Sequence, residues 1–457
     1  MSEWDTIVTG GTVVTEASTF EADVAIRGER IGAIGTDLGT ADRTVDASGC
    51  FVVPGGVDPH VHVAMAGDPG MDPLIEDIRE ASMGALLGGT TTIACYLRTV
   101  EGQTLEETLD AQIEYGNTAS STDFAFNILC TPGDDMAENV RAGVSRGVTT
   151  FKAMLAYRTR GLMLEDRQLV ELMDAVGRAN GLLLVHAENG TVSEYLEERE
   201  QLAGSPGSDS YLRTSPATLE AEGTLRTVML SRLSGCNVLF VHLTSREAAE
   251  AAKWIRQGPD AGRVWWETQP HYLMLTNDEV LRRGALGKVG PPLREHPDVV
   301  AVWEALGSGI LSHVSSDHAP RNTELKLAAA DILKAPYGGT TGTQVLLPLL
   351  YSAGYQAGVI SIERFVELTS TNAAKRYGLY PRKGCIEPGA DADLVVLPKH
   401  EVSRPIEPSA LFGKSDYTLY EGITSTGSPR YVVRAGRVAV EQGTLVEAPP
   451  AKYLRRT

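Results

Sequence analysis

Residues 148–187, VTTFKAMLAYRTRGLMLEDRQLVELMDAVGRANGLLLVHA, contain two short apolar runs separated by a longer amphipathic segment. The runs VTTFKA (148–153) and LLLVHA (182–187) have the length and composition of buried strands. The segment LEDRQLVELMDAVGRAN between them repeats its apolar residues at helical spacing. A strand, a helix and a second strand in this order predict a βαβ unit with parallel strands.

The same alternation continues on both sides of this unit. Six more apolar runs of strand length are separated by amphipathic stretches: FVVPGGV (51–57), TTTIACY (90–96), FAFNILC (124–130), VLFVHL (238–243), VWWET (264–268) and ILSHVSS (310–316). Eight βα units that close on themselves predict an α/β fold, a (β/α)8 TIM barrel. An open doubly wound sheet is the alternative, but no GxGxxG sequence follows the first run. Helical patterns at 342–357 and 362–376 follow the last run.

Both ends of the chain have a different pattern, in which short alternating apolar runs are interrupted by glycine and aspartate. Examples are IVTGGTVVT and RIGAIG near the start and DADLVVLP near the end. This pattern is typical of short antiparallel strands. We therefore expect a small β-sandwich domain from residues 1–53 and 385–445, a barrel domain from residues 54–384, and a tail at 446–457.

The composition limits the partners and the environment of the chain. Its 457 residues include 41 basic and 59 acidic ones, a formal net charge of −18, which argues against nucleic acid or an anionic membrane as a partner. We find no apolar run long enough for a membrane span, and the start MSEWDTIVTGGTVV lacks the pattern of a signal peptide. The five cysteines lack CxxC spacing, which favours reduced thiols and a cytoplasmic location.

Side chains that could bind metal accompany several predicted strands. His60 and His62 follow the first one and, being two residues apart, point to the same side of an extended chain, an arrangement that suits a divalent ion. Lys152 lies within the apolar run of the fourth strand, where the structural alternative is a lysine whose ammonium reaches water. If the amine is buried, its pKa falls. A neutral amine can take up carbon dioxide as a carbamate able to bridge two metal ions.

Three more candidates stand at the ends of later strands. His186 and His242 end the fifth and sixth runs, and Asp317 follows the eighth in SSDHAP. Taken singly, each has a structural alternative, a core histidine or a helix N-cap. Active sites of TIM barrels lie at the carboxyl ends of the strands, so all six candidates would meet there. This coincidence across five strands favours a site for two metal ions.

The chain resembles the cyclic amidohydrolases of the amidohydrolase superfamily, in particular their dihydropyrimidinase and hydantoinase branch. The matching stretches extend over nearly the whole chain: PGGVDPHVHV, GGTTTI, FKAMLAY, VHAENG, ETQPHYL, PPLRE, SSDHAP and GCIEPGADADLVVL. The resemblance implies a hydrolase that opens the ring amide of a hydantoin, a dihydropyrimidine or a cyclic imide. The attacking group would be a hydroxide that bridges two divalent metal ions, and zinc would be the usual metal.

The resemblance also implies roles for single residues. Tyr157 would donate a hydrogen bond to the developing oxyanion, and Asp317 would move the proton to the leaving nitrogen. Related enzymes form homotetramers or dimers, so we expect a homo-oligomer. The implied metal ligands are His60, His62 and Asp317 for one ion, His186 and His242 for the other, and a carbamate on Lys152 as the bridge.

Substrate recognition is less closely matched. The resemblance implies that backbone atoms near Gly290 and Thr341 bind the substrate amide, although the dihydropyrimidinase pattern more often has serine and asparagine there. The preferred ring therefore stays open. Arg98, Arg158 and Arg160 lie in loops that should surround the pocket. They would either bind a carboxylate or ureido group of the substrate or remain solvated at the rim.

Several related activities compete with the main hypothesis. Allantoinase comes second, because KVGPPLRE and YGGTTGTQVLLPLL resemble that family, whereas FKAMLAYRTRG resembles the hydantoinases. Dihydroorotase is less favoured, since that family has an arginine where this chain has Ala64. A scaffold without activity would have lost metal ligands, and here the set is complete. The loop VAMAGDPGMDP (63–73) departs from many hydantoinases, which leaves the preferred ring substituent open.

Overall fold

Eight parallel strands lie side by side in chain order and form a barrel in the computed structural model, which describes residues 2–64, 74–204, 207–329, 331–335 and 338–456. A bridge between Val61 and His318, with the His62 N–H donating to the His318 carbonyl at 2.7 Å, joins the two edges of this sheet. The predicted (β/α)8 fold is therefore confirmed. The strands are β1 (Gly56–Val61), β2 (Thr90–Leu97), β3 (Asp123–Leu129), β4 (Thr150–Met154), β5 (Leu182–His186), β6 (Asn237–Phe240), β7 (Val264–Thr268) and β8 (Leu311–Val314).

Helices connect these strands and cover the barrel from outside. Between β1 and β8 they are Ile78–Leu87, Leu105–Ala119, Met136–Ser145, Asp166–Arg178, Gly190–Ala203, Ser208–Thr214, Ala217–Ser231, Arg246–Arg256, Pro270–Met274, Asp278–Arg283 and His296–Gly307. After β8 they are Thr323–Lys326, Leu346–Leu350, Ile362–Val366 and Asn372–Arg376, with π-helical turns at Tyr351–Gln356 and Glu367–Thr371.

The helix Asp166–Arg178 shows why the amphipathic pattern produces this arrangement. Its apolar side packs into the same core as Phe151 of β4 and Leu183 of β5. Full burial of one large apolar side chain contributes about 1.5–3 kcal/mol, so one face is held firmly against the barrel. The buried large apolar residues recur at helical spacing: Leu169, Leu172, Met173 and Val176.

The predicted first barrel strand, residues 51–57, is wrong in its position. The segment Cys50–Pro54 pairs antiparallel with Leu394–Pro398 in a sheet of the terminal domain, and β1 begins only at Gly56. Gly55 lies between them, where an added Cβ would come within 2.2 Å of Thr91 Oγ1. The apolar run conceals this change of sheet because the segments on both sides of Gly55 are buried.

Both chain ends form the predicted small β-sandwich. Val24 and Ile26 of one sheet share a core with Val52, Val396 and Val433 of the other. The first sheet consists of Trp4–Thr9, Asp23–Arg27, Arg30–Gly35 and Ala41–Asp46. The second consists of Thr12–Val14, Thr19–Glu21, Cys50–Pro54, Leu394–Pro398, Tyr431–Arg434, Arg437–Glu441 and Thr444–Leu445. A separate two-stranded ribbon pairs Arg404–Pro405 with Thr424–Ser425.

A buried ion cluster connects the barrel to the terminal domain. The Lys383 ammonium, with a side chain only 1% exposed, lies 2.5 Å from Asp123, 2.6 Å from Asp393 and 2.9 Å from Asp391. Arg434 contacts Asp123 as well, at 2.9 Å. Asp123 begins β3, so the cluster lies at the amino-terminal end of the barrel.

The last described residues pack against the barrel of their own chain. The Phe124 N–H donates to the Lys452 carbonyl at 3.1 Å, and the Leu454 N–H donates to the Phe124 carbonyl at 2.7 Å.

All five cysteines of the chain are free and buried. Among the described residues, no helix combines the length and apolar character needed to cross a membrane.

Candidate metal centre

The six side chains predicted as metal ligands stand toward the carboxyl ends of barrel strands. Burial is nearly complete for four of them, since His60, Lys152, His186 and His242 are at most 3% exposed. Their positions are His60 within β1, His62 directly after it, Lys152 within β4, His186 at the end of β5, His242 two residues after β6, and Asp317 three residues after β8.

His60, His62 and Asp317 form one half of the centre. Asp317 Oδ1 lies 3.1 Å from His60 Nε2 and 3.2 Å from His62 Nε2. Zinc binds imidazole nitrogens and carboxylate oxygens at about 2.0–2.2 Å, so two ligand atoms of one ion lie roughly 3–3.5 Å apart. One ligand atom from each of the three residues lies within 4.8 Å of the others. The arrangement therefore fits a single divalent cation.

His186 and His242 form the other half. His186 Nδ1 lies 2.8 Å from His242 Nε2, and the opposite nitrogen of His186 lies 2.7 Å from Glu188 Oε2. Glu188 thereby fixes the ring so that Nδ1 faces His242. Burial lowers the pKa of both imidazoles, which favours the neutral form that binds metal. The ring centres of His60 and His242 are 6.0 Å apart, so the two halves adjoin.

Lys152 belongs to β4, which lies between β3 and β5, and its side chain points to the same centre. It pairs in register with Leu129 of β3 and Leu184 of β5. Burial lowers the pKa of its amine to about 7, although Glu267 and Asp317 act in the opposite direction. A substantial fraction of the amine is therefore neutral near pH 7, as carbamate formation requires.

Besides Glu188, two residues that contact this centre were missed in the sequence. Glu267 of β7 is fully buried, with Oε1 2.5 Å from His60 Nδ1 and Oε2 2.8 Å from His313 Nε2. The ring of Tyr96, from β2, lies 4.8 Å from both the His60 and the His62 ring. An acidic residue within a buried strand was the available signal for Glu267.

The carboxylates around His60 strongly favour a positive charge at this position. Burial alone would lower the pKa of His60, yet Asp317 and Glu267 raise it to about 9. Burial likewise would raise the pKa of Asp317, but His60 and His62 hold it well below its usual range. A bound divalent cation would supply this positive charge instead of a protonated imidazole.

Three of the predicted site residues have left-handed backbone conformations. The φ angles are 66° at Tyr157, 45° at His242 and 48° at Asp317. Such angles are uncommon for residues other than glycine, and strained positions of this kind cluster at functional sites. Tyr157 lies close to the metal centre, since its ring centre is 5.0 Å from that of His186.

The two predicted substrate contacts lie in neighbouring loops. The backbone of Gly290 lies against the Tyr157 hydroxyl, since a Cβ added to Gly290 would be 2.4 Å from Tyr157 Oη. Glycine is thus the residue that lets the hydroxyl approach this backbone. Thr341 Oγ1 is buried and has no hydrogen-bond partner among the described residues, which leaves it available to a ligand.

The arginines predicted near the pocket differ in their surroundings. Arg158 is 46% exposed and contacts Glu165 at 2.5 Å and Glu194 at 3.1 Å, which favours the rim alternative for this residue. The Arg160 guanidinium lies 5.2 Å from the centre of the Tyr157 ring. Substrate contacts of Arg98 and Arg160 stay a prediction. Most of the loop at 63–73 falls on residues 65–73, outside the described residues.

Comparisons with known proteins agree on one family. A sequence model of the amidohydrolase family matches residues 51–439. The chain is 34% identical to a D-hydantoinase of Rhizobium radiobacter, over 99% of this chain and 98% of the relative. It is also 34% identical to an allantoinase of Rubrobacter xylanophilus, over 100% and 98%. The crystal structure of a dihydropyrimidinase from Brevibacillus agri superposes with a TM-score of 0.92 at 31% identity, covering 100% of this chain and 99% of that one.

Proposed function

The chain belongs to the amidohydrolase family, and from this membership we propose that it hydrolyses a ring C–N bond of hydantoins, dihydropyrimidines or cyclic imides. One observation carries the proposal above all others. Four imidazoles, a lysine and an aspartate from five strands meet at the end of the barrel where active sites of this fold lie. The names of the relatives, D-hydantoinase and dihydropyrimidinase, support the type of ring.

We propose two divalent metal ions, with zinc as the first candidate. Bound there, such ions supply a Lewis acid and lower the pKa of a water molecule toward neutrality. Nitrogen and oxygen ligands select weakly among divalent metals, so manganese is an alternative. The proposed ligands are His60, His62 and Asp317 for one ion, His186 and His242 for the other, and carbamylated Lys152 between them.

The remaining roles fall to side chains and backbone beside the metal centre. The Tyr157 hydroxyl donates to the carbonyl oxygen of the substrate as that oxygen gains negative charge, the kind of preorganised contact that often dominates catalysis. Asp317 takes the proton of the attacking water and passes it to the ring nitrogen as the C–N bond breaks. Backbone atoms near Gly290 and Thr341 hold the ring amide in place.

Metal analysis and a substrate panel test the proposal. We expect close to two equivalents of metal per chain in purified protein, and loss of activity on chelation with recovery when metal is restored. Hydrolysis would be followed with hydantoin, dihydrouracil, allantoin, dihydroorotate and succinimide. If metal-loaded protein opens none of these rings, the proposal is refuted.

Opening of the allantoin ring is the second candidate. Its support is the Rubrobacter relative, whose identity to this chain equals that of the Rhizobium hydantoinase. The ratio of kcat/KM for allantoin to that for hydantoin decides between the two, because this ratio measures differential transition-state binding. A ratio well above one would make allantoin the better substrate.

We also propose a homo-oligomer, a tetramer or dimer, in a reducing cytoplasm. The family resemblance supports the oligomer. The five free, buried thiols support the reducing compartment. Light scattering coupled to size-exclusion chromatography gives the mass directly. A mass of 48.9 kDa, that of the single chain, would exclude an oligomer under those conditions.

A further inference from the structure

We propose that Lys326 is a positioning residue that sets the spacing of the two loops carrying Gly290 and Thr341. The proposal rests on the proposed function, in which these loops bind the substrate amide. Lys326 is 1% exposed, and its Nζ donates to the Lys288 carbonyl at 2.5 Å and to the Gly339 carbonyl at 3.1 Å. One buried ammonium therefore holds both loops.

The two carbonyls occupy equivalent places in their loops. Lys288 precedes Gly290 by two residues, and Gly339 precedes Thr341 by two residues. The loops also touch each other, since the Gly339 N–H donates to the Lys288 carbonyl at 3.2 Å. A shift of the ammonium would therefore displace both proposed substrate contacts together.

Neighbouring contacts strengthen this connection. Lys288 extends its own Nζ to the carbonyls of Ile332 and Ala335, at 2.9 and 2.7 Å. Tyr417 Oη donates to the Gly339 carbonyl at 3.2 Å. Hydrogen bonds from an ammonium are roughly twice as strong as neutral ones, so Lys326 binds the Gly339 carbonyl more strongly than the Tyr417 hydroxyl does. Its role is geometric, because it acts on substrate only through the loops.

Lys326→Met tests the proposal, with Lys326→Arg as the conservative variant. The methionine fills similar space without donors, while the Gly339 N–H and the Tyr417 hydroxyl still satisfy the two carbonyls. We expect KM for the best ring substrate to rise roughly five- to tenfold, as for one lost substrate hydrogen bond, with kcat and metal content nearly unchanged. Lys326→Arg should recover part of the KM.

The matched control is Lys334→Met, an exposed lysine in the same segment, which should leave KM unchanged. If Lys326→Met folds and binds metal but keeps the parental KM, the positioning role is refuted. If it does not fold, Lys326→Gln decides, because glutamine keeps a neutral donor at this position and removes the charge. A two- to threefold rise in KM supports the proposal, and an unchanged KM overturns it. Failure of the proposed function is distinct, since the parent would then hydrolyse no ring.

Discussion

At the scale of single residues, Lys152 has an environment that an ordinary lysine avoids. It is 3% exposed, its ammonium lies 5.1 Å from the centre of the Tyr96 ring, and it stands among the imidazoles of both halves of the metal centre. A buried cation beside metal ions would be strongly unfavourable, whereas a carbamate supplies negative charge. This environment supports the proposed carbamate on Lys152.

We expect Lys152→Ala to lose bound metal and activity together, with turnover falling by at least about a hundredfold because the bridge is missing. A short carboxylic acid such as propionate should restore part of the activity by replacing the carbamate. The exposed Lys253→Ala serves as the control. Full metal occupancy in Lys152→Ala, measured by elemental analysis, would count against the bridge.

The close approach of Gly290 to the Tyr157 hydroxyl is a second feature at the scale of single residues. Gly290→Ala places a methyl group against the Tyr157 hydroxyl, so the ring must move away from the developing oxyanion. We expect kcat to fall about tenfold or more in this variant. A double-mutant cycle with Tyr157→Phe isolates the cause, because phenylalanine lacks the atom that collides.

In the Tyr157→Phe background, Gly290→Ala should have a much smaller effect on kcat than in the parent. Gly262→Ala is the control, as an added Cβ there meets no atom within 4 Å. Strictly additive effects of Gly290→Ala and Tyr157→Phe would show that the two residues do not act together.

At the scale of elements, strand β7 supports the metal centre without supplying a ligand. Glu267 holds His60 on one oxygen and His313 on the other, and thus connects β1, β7 and β8. Partners of this kind orient a metal-binding imidazole, and their loss typically weakens metal binding 10- to 100-fold. The neighbouring strands therefore position His60 of β1, one of the proposed ligands.

Glu267→Gln should weaken metal binding by about 10- to 100-fold while the fold persists, because glutamine has the same shape without the charge. Competition with a chelator of known affinity measures the change. Exposed Glu304 provides the control variant, Glu304→Gln, which should retain the parental affinity. An unaltered affinity in Glu267→Gln would assign the carboxylate to stability alone.

At the scale of the whole molecule, a buried ion cluster around Lys383 connects the barrel to the terminal domain. The Lys383 ammonium contacts three aspartates at the amino-terminal end of the barrel, opposite the metal centre, and Arg434 contacts one of them. Removing one partner of a buried ion pair costs about 3–5 kcal/mol, since the remaining charges stay buried. The domain boundaries at 53/54 and 384/385 stay a prediction, and this cluster bears directly on how independent the domains are.

We expect Lys383→Met to destabilise the chain by about 3–5 kcal/mol, seen as a lower midpoint of denaturant unfolding, with kcat nearly unchanged in the folded protein. Lys452→Met breaks an exposed pair with Glu29 and should cost at most about 1 kcal/mol. Equal destabilisation by the two variants would contradict the assigned importance of the buried cluster.

Much of the barrel was predictable because its signals are local. Apolar runs of strand length and helices with one apolar face are read directly from neighbouring residues. The rule that barrel sites lie at carboxyl ends then placed His186, His242 and Asp317 together. The error at 51–57 has a physical cause, since a buried run has the same composition whether it continues one sheet or passes from one sheet into another.

The amino-acid sequence by itself determined the (β/α)8 barrel, the terminal β-sandwich and the candidate ligands, because periodicity and strand ends are properties of short segments. Only the tertiary structure decided which groups hold the candidate ligands and the substrate-binding loops in position. Glu267 meets His60 across 207 residues, and Lys326 reaches the Lys288 carbonyl across 38. Such contacts depend on how distant segments pack, and no local pattern carries that information.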